Sequence, residues 1–356
     1  MTTHIEVHIL QALPPSNVNR DGDGAPKSAR YGGKRRARVS SQSWKRATRL
    51  GFTDNEQGVR TKLLAEEVAK ELMNEHGYAE DAAKQAALEA LAKVGIGGGK
   101  KNHEPTGELK YLLLFGKDLP AKIAQAVVDG TLVDEQSAKE LIRTADKPLS
   151  LALFGRMIAD DKHLSVDASC QVAHAISTHE AASELDYFTA VDDLRTEDAG
   201  AGMIGDIGYQ SAVLYRYANI NMDLLTANLG DSKADAVEGV KKFIASFVTS
   251  MPSGYGNSTA PGTLPKLVVV VIRNGQRPVS LADAFESPVA ADGGFMNPSA
   301  QRLAAEYESV ASWLGDAPVM VAHRLNGDTA TAVEGAFGPN NTLDQLIANA
   351  GSELNA

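Results

Sequence analysis

The chain has 356 residues, 43% of them hydrophobic, one cysteine (Cys170) and a formal charge of −10. That is enough apolar material for compact cores, and a lone cysteine excludes an internal disulfide. The strongest aliphatic run, the six residues Leu267 to Ile272, falls far short of the roughly 20 needed to cross a bilayer, and the polar start MTTHIEVH lacks the regions of a secretory signal, so a cytoplasmic address with no membrane partner is expected.

In chain order, Ile5, Val7 and Ile9 alternate with His4, Glu6 and His8, the period of a half-buried strand with the polar set outward. Leu13-Pro14-Pro15 and the Gly/Asp-rich stretch from Asn19 to Pro26 then force a loop. Ser40 or Ser41 is placed to cap a helix with Trp44 and Ala47 inward and Ser41, Lys45 and Arg49 along another side. From about Arg60 to Val94, Leu63, Val68, Leu72, Leu88 and Leu91 recur at helical spacing. A break at Gly95 to Gly99 precedes further helical patterns at Ala121 to Val128 and Gln136 to Arg143. Strand character returns from about Ser165, and Ser211 to Asn221 reads as a strand packed on both faces. Helices at Ala234 to Ser250 and Ser299 to Leu314 bracket a buried strand at Leu267 to Ile272. Strands interrupted by helices indicate an α+β sheet domain carrying excursions.

Charge is unevenly distributed. Between Arg20 and Arg49 ten cations (Arg20, Lys27, Arg30, Lys34, Arg35, Arg36, Arg38, Lys45, Arg46, Arg49) face two acids, Asp21 and Asp23, a net +8 that leaves the rest of the chain at −18. Such an island in an acidic protein points to a polyanion, nucleic acid first. Gly32 and Gly33 would let backbone approach a ligand, and the helix N-terminus would add N–H donors. Tyr187-Phe188-Thr189, followed by the glycine-bearing segment Ala199 to Gly208, either stacks on bases or anchors a hairpin; the sequence leaves both open.

Other motifs fail. Gly95 to Lys101 lacks the first glycine of a P-loop and has Lys101 where the Ser/Thr belongs. His174 and His179 miss the spacing of a zinc helix, and Cys170 alone makes no metal site. Asp160-Asp161 and Asp192-Asp193 read as solvated acidic pairs. Two competing classes follow from the same island: an RNA-cleaving endonuclease with His8, His174 or His179 as general base, and an enzyme acting on small anionic substrates.

Five blocks carry a family resemblance: Asn19-Arg20-Asp21, Gly32 to Arg46, Ala175 to His179, Asp186 to Leu194 and Leu214 to Asn221. Together they resemble the CasC-type backbone subunit of the type I-E CRISPR Cascade complex. The resemblance implies an RRM-like (ferredoxin-like) palm in three parts (1–55, 165–182, 213–356), helical fingers (56–164) and a hairpin thumb (183–212). It implies a non-catalytic protein without cofactor or metal, whose copies polymerise along CRISPR RNA beside other Cascade subunits and hold the guide for pairing with target DNA. On that resemblance Arg20, Ser40, Gln42, Lys45 and Arg49 contact guide phosphates and sugars. Lys27, Lys34, Arg36, Arg38 and Arg46 are further contacts, Met157 is a wedge, and Tyr187, Phe188 and Thr189 accompany a displaced nucleotide. Such a subunit must read backbone and leave base edges free. In the finger helices Lys117, Lys122, Lys139, Arg143 and Lys147 are scattered rather than set in a dense row, so direct contact with target duplex is not expected there.

Overall fold

The structure, a computed structural model, describes residues 2–94, 96, 107–134, 136–137, 140–142, 147–157, 165–191, 201–290 and 293–356, the side chains of 190–191 and 201–204 excepted. Lys139, Arg143, Asp160, Asp161, Asp192, Asp193, Gly95 and the run 97–101 lie outside the described residues. Two compact units emerge: 1–51 with 172–220 and 240–356, and 52–171 with 221–239.

The first unit is built on a sheet. Its strands are β1 (Thr3–Ser16), β2 (Ser28–Tyr31) and β3 (Lys34–Val39), then, after the helix α1 (Ser41–Leu50) and the second unit's short β4 (Val59–Thr61) and β5 (Leu113–Phe115), β6 (Cys170–Val172), β7 (Ala175–Ser177), β8 (Glu184–Val191), β9 (Ala201–Asn221), β10 (Leu267–Asn274) and β11 (Val319–His323). The sheet order is β11-β10-β1-β9-β7-β3-β2, with β8 paired to β9. Every pairing whose register is described in this sheet is antiparallel.

β1 lies inside this sheet, with Thr3 to Leu10 paired to Asn274 to Leu267, and both of its faces are covered. The half-buried strand expected from its alternation is therefore corrected: Glu6 and His8 are as fully buried as Ile5, Val7 and Ile9. They survive burial because they satisfy one another. Glu6 accepts from Arg273 Nε at 2.7 Å and from the Val279 N–H at 2.8 Å, and His8 bridges Glu6 (3.2 Å) and the Tyr215 hydroxyl (2.9 Å). Burial alone would raise the Glu6 carboxyl; the hydrogen bond from His8 and the charges of His8 and Arg273 hold it below its ordinary value. The expected strand at Leu267–Ile272 is present and buried, as is 212–220 of β9. The helix Met296–Leu314 covers one face, packing Leu303, Ala304 and Tyr307 with Val269, Val271 and Val321, each large apolar side chain contributing roughly 1.5–3 kcal/mol by burial.

The second unit is mainly helical, with α2 (Asp54–Gln57), α3 (Leu64–His76), α4 (Glu80–Val94) and α5 (Leu119–Val128) among its elements. Its core sets Leu64, Val68 and Leu72 of α3 against Ala83, Ala87, Ala90 and Leu91 of α4, small residues that let two helices approach closely. Leu63 and Leu88 are only half-buried. Arg60, read as helical, lies in β4, which pairs with β5; three-residue strands are too short to leave a period-2 signal.

Candidate nucleic-acid interface

Ser40 is the N-cap of α1, in extended conformation, but its side chain does not close the helix. The Ser41 N–H instead donates to His174 Nδ1 at 3.2 Å, a cap delivered by the segment before β7. Asn19 fixes the entry, its Oδ1 accepting the Ser40 N–H at 2.8 Å, while its carbonyl accepts the Lys27 N–H at 2.9 Å. The Lys27 carbonyl in turn accepts from Arg38 N at 3.0 Å. Asn17 donates to the carbonyls of Gly24 (3.0 Å) and Gly208 (2.8 Å), stitching the basic loop to β9. These bonds gather Lys27, Arg38, His174 and the N-terminus of α1. The electrostatics agree: partial burial, then the charges of Arg38 and Lys27, lower the proton affinity of His174. With Nδ1 accepting, the neutral ring carries its proton on Nε2.

Along α1, Trp44 and Thr48 are buried and Ala47 is half-buried. Gln42 and Arg46 are exposed, and Lys45 and Arg49 are half-exposed one turn apart. Arg46 lies on a different side from Lys45 and Arg49: with Ser43, Ala47 and Leu50 it lines an open cleft of about 460 Å³ whose other wall is formed by residues 246 and 249–254. Arg20 is exposed, its guanidinium 4.7 Å from the ring centroid of Tyr255. The structure thus brings Lys27 and Arg38 to the N-terminus of α1, with Gln42, Lys45 and Arg49 along the helix, Arg46 to one side and Arg20 beside Tyr255.

Three readings of the basic run need correction. Arg36 is fully buried: its guanidinium donates to the carbonyls of Ser177 (2.9 Å), Phe285 (2.8 Å) and Glu286 (3.0 Å), so it braces the sheet and has no surface for RNA. Ser40 is also buried, its hydroxyl beside Ser43 Oγ at 3.2 Å, and organises the helix entry. Gly32 packs against its own chain: at a φ of +56° its Cα faces the Glu286 carbonyl so closely that an added Cβ would lie 1.6 Å from the oxygen. Lys34, at the tip of the β2–β3 hairpin, is exposed and forms a 3.1 Å ion pair with Glu180.

The hairpin of β8 and β9 settles part of the aromatic question. Phe188 is half-buried and lies flat across its register partner Gly205, where an added Cβ would meet its ring at 2.7 Å. Tyr187 is 61% exposed, and with Thr189 it occupies the other face. In the second unit Met157 is 87% exposed, following Arg156, whose backbone pairs with Val166 and whose side chain donates to the Leu114 carbonyl at 3.1 Å.

Of the three histidines weighed as general bases, two are excluded by position. His8 is buried in the Glu6 network. His179 is buried, stacked on Phe295 at 3.7 Å, with Nδ1 at the Glu180 carbonyl and Nε2 accepting the Val213 N–H. Sequence reasoning missed His174 as a helix cap, because the residue it caps lies 133 positions earlier. Among the described residues, no three or more His, Cys, Asp or Glu stand ready to hold a metal, and no helix is long and apolar enough to cross a membrane.

The family model described as CT1975-like protein matches residues 5–349. The chain belongs to that family. It is also similar to a solved chain described as "CRISPR RNA-guided surveillance complex, pre-nicking", with 32% identity, a TM-score of 0.85 and coverage of 98% of this chain and 99% of that one. A second, "CRISPR RNA-guided surveillance complex", is 30% identical with a TM-score of 0.63 over 98% and 99% of the two chains. No curated protein matches the chain. The resemblance to Cascade subunits drawn from the motif blocks is thereby borne out.

Proposed function

We propose that this CT1975-like protein is the non-catalytic backbone subunit of a type I-E, CasC-type Cascade, in which copies of the chain line up along one CRISPR RNA in the cytoplasm beside other Cascade subunits. The observation that carries the reading is the cluster at α1. Lys27, Arg38 and a helix N-terminus converge on one surface, and Lys45 and Arg49 extend it along the helix. Cations and backbone N–H groups bind phosphate without naming a base, which suits a subunit that repeats along an arbitrary guide and leaves base edges to target DNA. Residues 1–55, 165–182 and 213–356 act as an RRM-like palm, 56–164 as fingers and 183–212 as thumb. Met157 and Tyr187 are exposed side chains suited to wedge between nucleotides, while Phe188 keeps the thumb stiff through Gly205.

The test is the material that purifies with the protein. An absorbance ratio at 260 and 280 nm, with sizing before and after nuclease, should reveal RNA in a large assembly that collapses on digestion. RNA-free monomer with no affinity for single-stranded RNA sinks the proposal. A nuclease reading now rests on His174 alone; cleavage of labelled RNA that disappears in His174→Ala would favour it.

A further inference from the structure

Arg216, on β9, is 1% exposed, and among the described residues no acid forms an ion pair with it. Its guanidinium is held between two rings, 3.6 Å from the centroid of Trp44 and 4.5 Å from that of Phe247, which themselves meet edge-on at 6.5 Å. Nη1 donates to Gln11 Oε1 and Nη2 to the Phe247 carbonyl, while Nε meets no hydrogen-bond acceptor among the described residues. Gln11 is oriented for this by donating its own amide to the Thr263 carbonyl at 2.6 Å. Arg273, in the same sheet, shows the usual solution to a buried guanidinium, a carboxylate at 2.7 Å. Burial without such a partner pushes the Arg216 guanidinium well below its ordinary proton affinity, so the fold bears an uncompensated charge that an apolar side chain would avoid.

Its position explains why. Trp44 is the inward anchor of α1, and the next residue is Lys45. We propose that Arg216 is a positioning residue for the α1 face: it clamps Trp44 from beneath, fixing the line of Lys45 and Arg49, and its unpaired charge adds to the positive potential of that face from inside the protein. This rests on the reading that α1 binds RNA. A cation behind the helix attracts a phosphate strand through low-dielectric protein, where screening is weaker than in solvent, and the two rings supply a cation–π environment that tolerates the charge without neutralising it.

The experiment measures binding of the full chain to a fluorescent single-stranded RNA of arbitrary sequence, at several salt concentrations, for the wild type, Arg216→Met, Arg216→Lys and a Lys45→Gln/Arg49→Gln double variant, with melting temperatures alongside. Arg216→Met should bind about tenfold more weakly at low salt, the size expected of one partly screened unit charge, and the deficit should shrink as salt rises. Arg216→Lys, which keeps the charge and loses the planar fork, should recover most of the affinity at low salt whatever its melting temperature. If Arg216→Met does not fold, Arg216→Lys decides alone: affinity close to wild type supports the proposal, and a loss as large as that of the double variant overturns it. Equal losses in both Arg216 variants at every salt concentration would reduce Arg216 to a packing role. Undiminished binding by the double variant would instead sink the α1 reading itself, whereas loss in the double variant with none in Arg216→Met rejects this inference alone.

Discussion

The β2–β3 hairpin and α1 are cut from one basic run, yet they place their cations differently: the hairpin buries one of them outright, and α1 buries none. In the hairpin region Arg36 is sunk among three carbonyls, Arg38 Nε donates to the Ser28 carbonyl at 3.2 Å, and Lys34 pairs with Glu180. In α1 the 3.6-residue period carries Trp44 and Thr48 inward and turns Gln42, Lys45, Arg46 and Arg49 toward the surface. A strand alternates its side chains, so a cationic strand in a packed sheet must bury some of its charge. An amphipathic helix can keep all of it outside. Density of charge in a sequence is therefore a poor measure of charge available to a ligand.

The comparison predicts which change harms folding and which harms binding. The largest effect belongs to Arg36→Met, which strips three buried carbonyls of their donor and should cost about 3 kcal/mol of stability, read by urea or thermal unfolding; an unchanged melting curve would break the contrast. Next comes Lys45→Ala/Arg49→Ala, expected to weaken RNA binding about 30-fold, roughly 2 kcal/mol, while shifting the melting curve far less than Arg36→Met does. It should also flatten the salt dependence by about 0.7 for each phosphate no longer neutralised, alike for unrelated guides. Loss confined to particular guide sequences would argue against backbone reading.

His174 sharpens the boundary between the two regions. His174→Ala removes the acceptor for the first N–H of α1 and should cost about 1 kcal/mol. Because the folded ring holds its proton less tightly than the ordinary value of 6.5, its contribution is complete above pH 6.5 and is lost as pH falls through its lowered folded range. Melting temperatures of wild type and His174→Ala should therefore converge toward acid pH; parallel curves would deny the cap. The smallest effect is expected from Lys34→Ala. Both partners of its ion pair are more than half exposed, so stability should change by no more than about 0.5 kcal/mol, and a large loss would mean that the hairpin tip matters more than its geometry indicates.

Much of the fold is legible in local patterning. The strands at Leu267–Ile272 and Ser211–Asn221 and the helix beginning at Ser41 rest on it, and each element is present; the hairpin around Tyr187, left open by the residues and implied by the resemblance, is present too. The outward face assigned to Glu6 and His8 was wrong, because alternation of polarity cannot distinguish solvent from a buried partner such as Arg273, 267 positions away. The same limit hid the withdrawal of Arg36 and Ser40 from the surface.

The sequence by itself determined that this chain has a buried sheet, helical excursions and a cationic island suited to a polyanion, because periodicity and net charge are properties of neighbouring residues. Only the tertiary structure decided which cations reach the surface, which histidine caps α1 and where Arg216 lies, 205 positions from the glutamine that receives its hydrogen bond. Those outcomes depend on desolvation and on partners brought together by folding, and neither is written in any local stretch of chain.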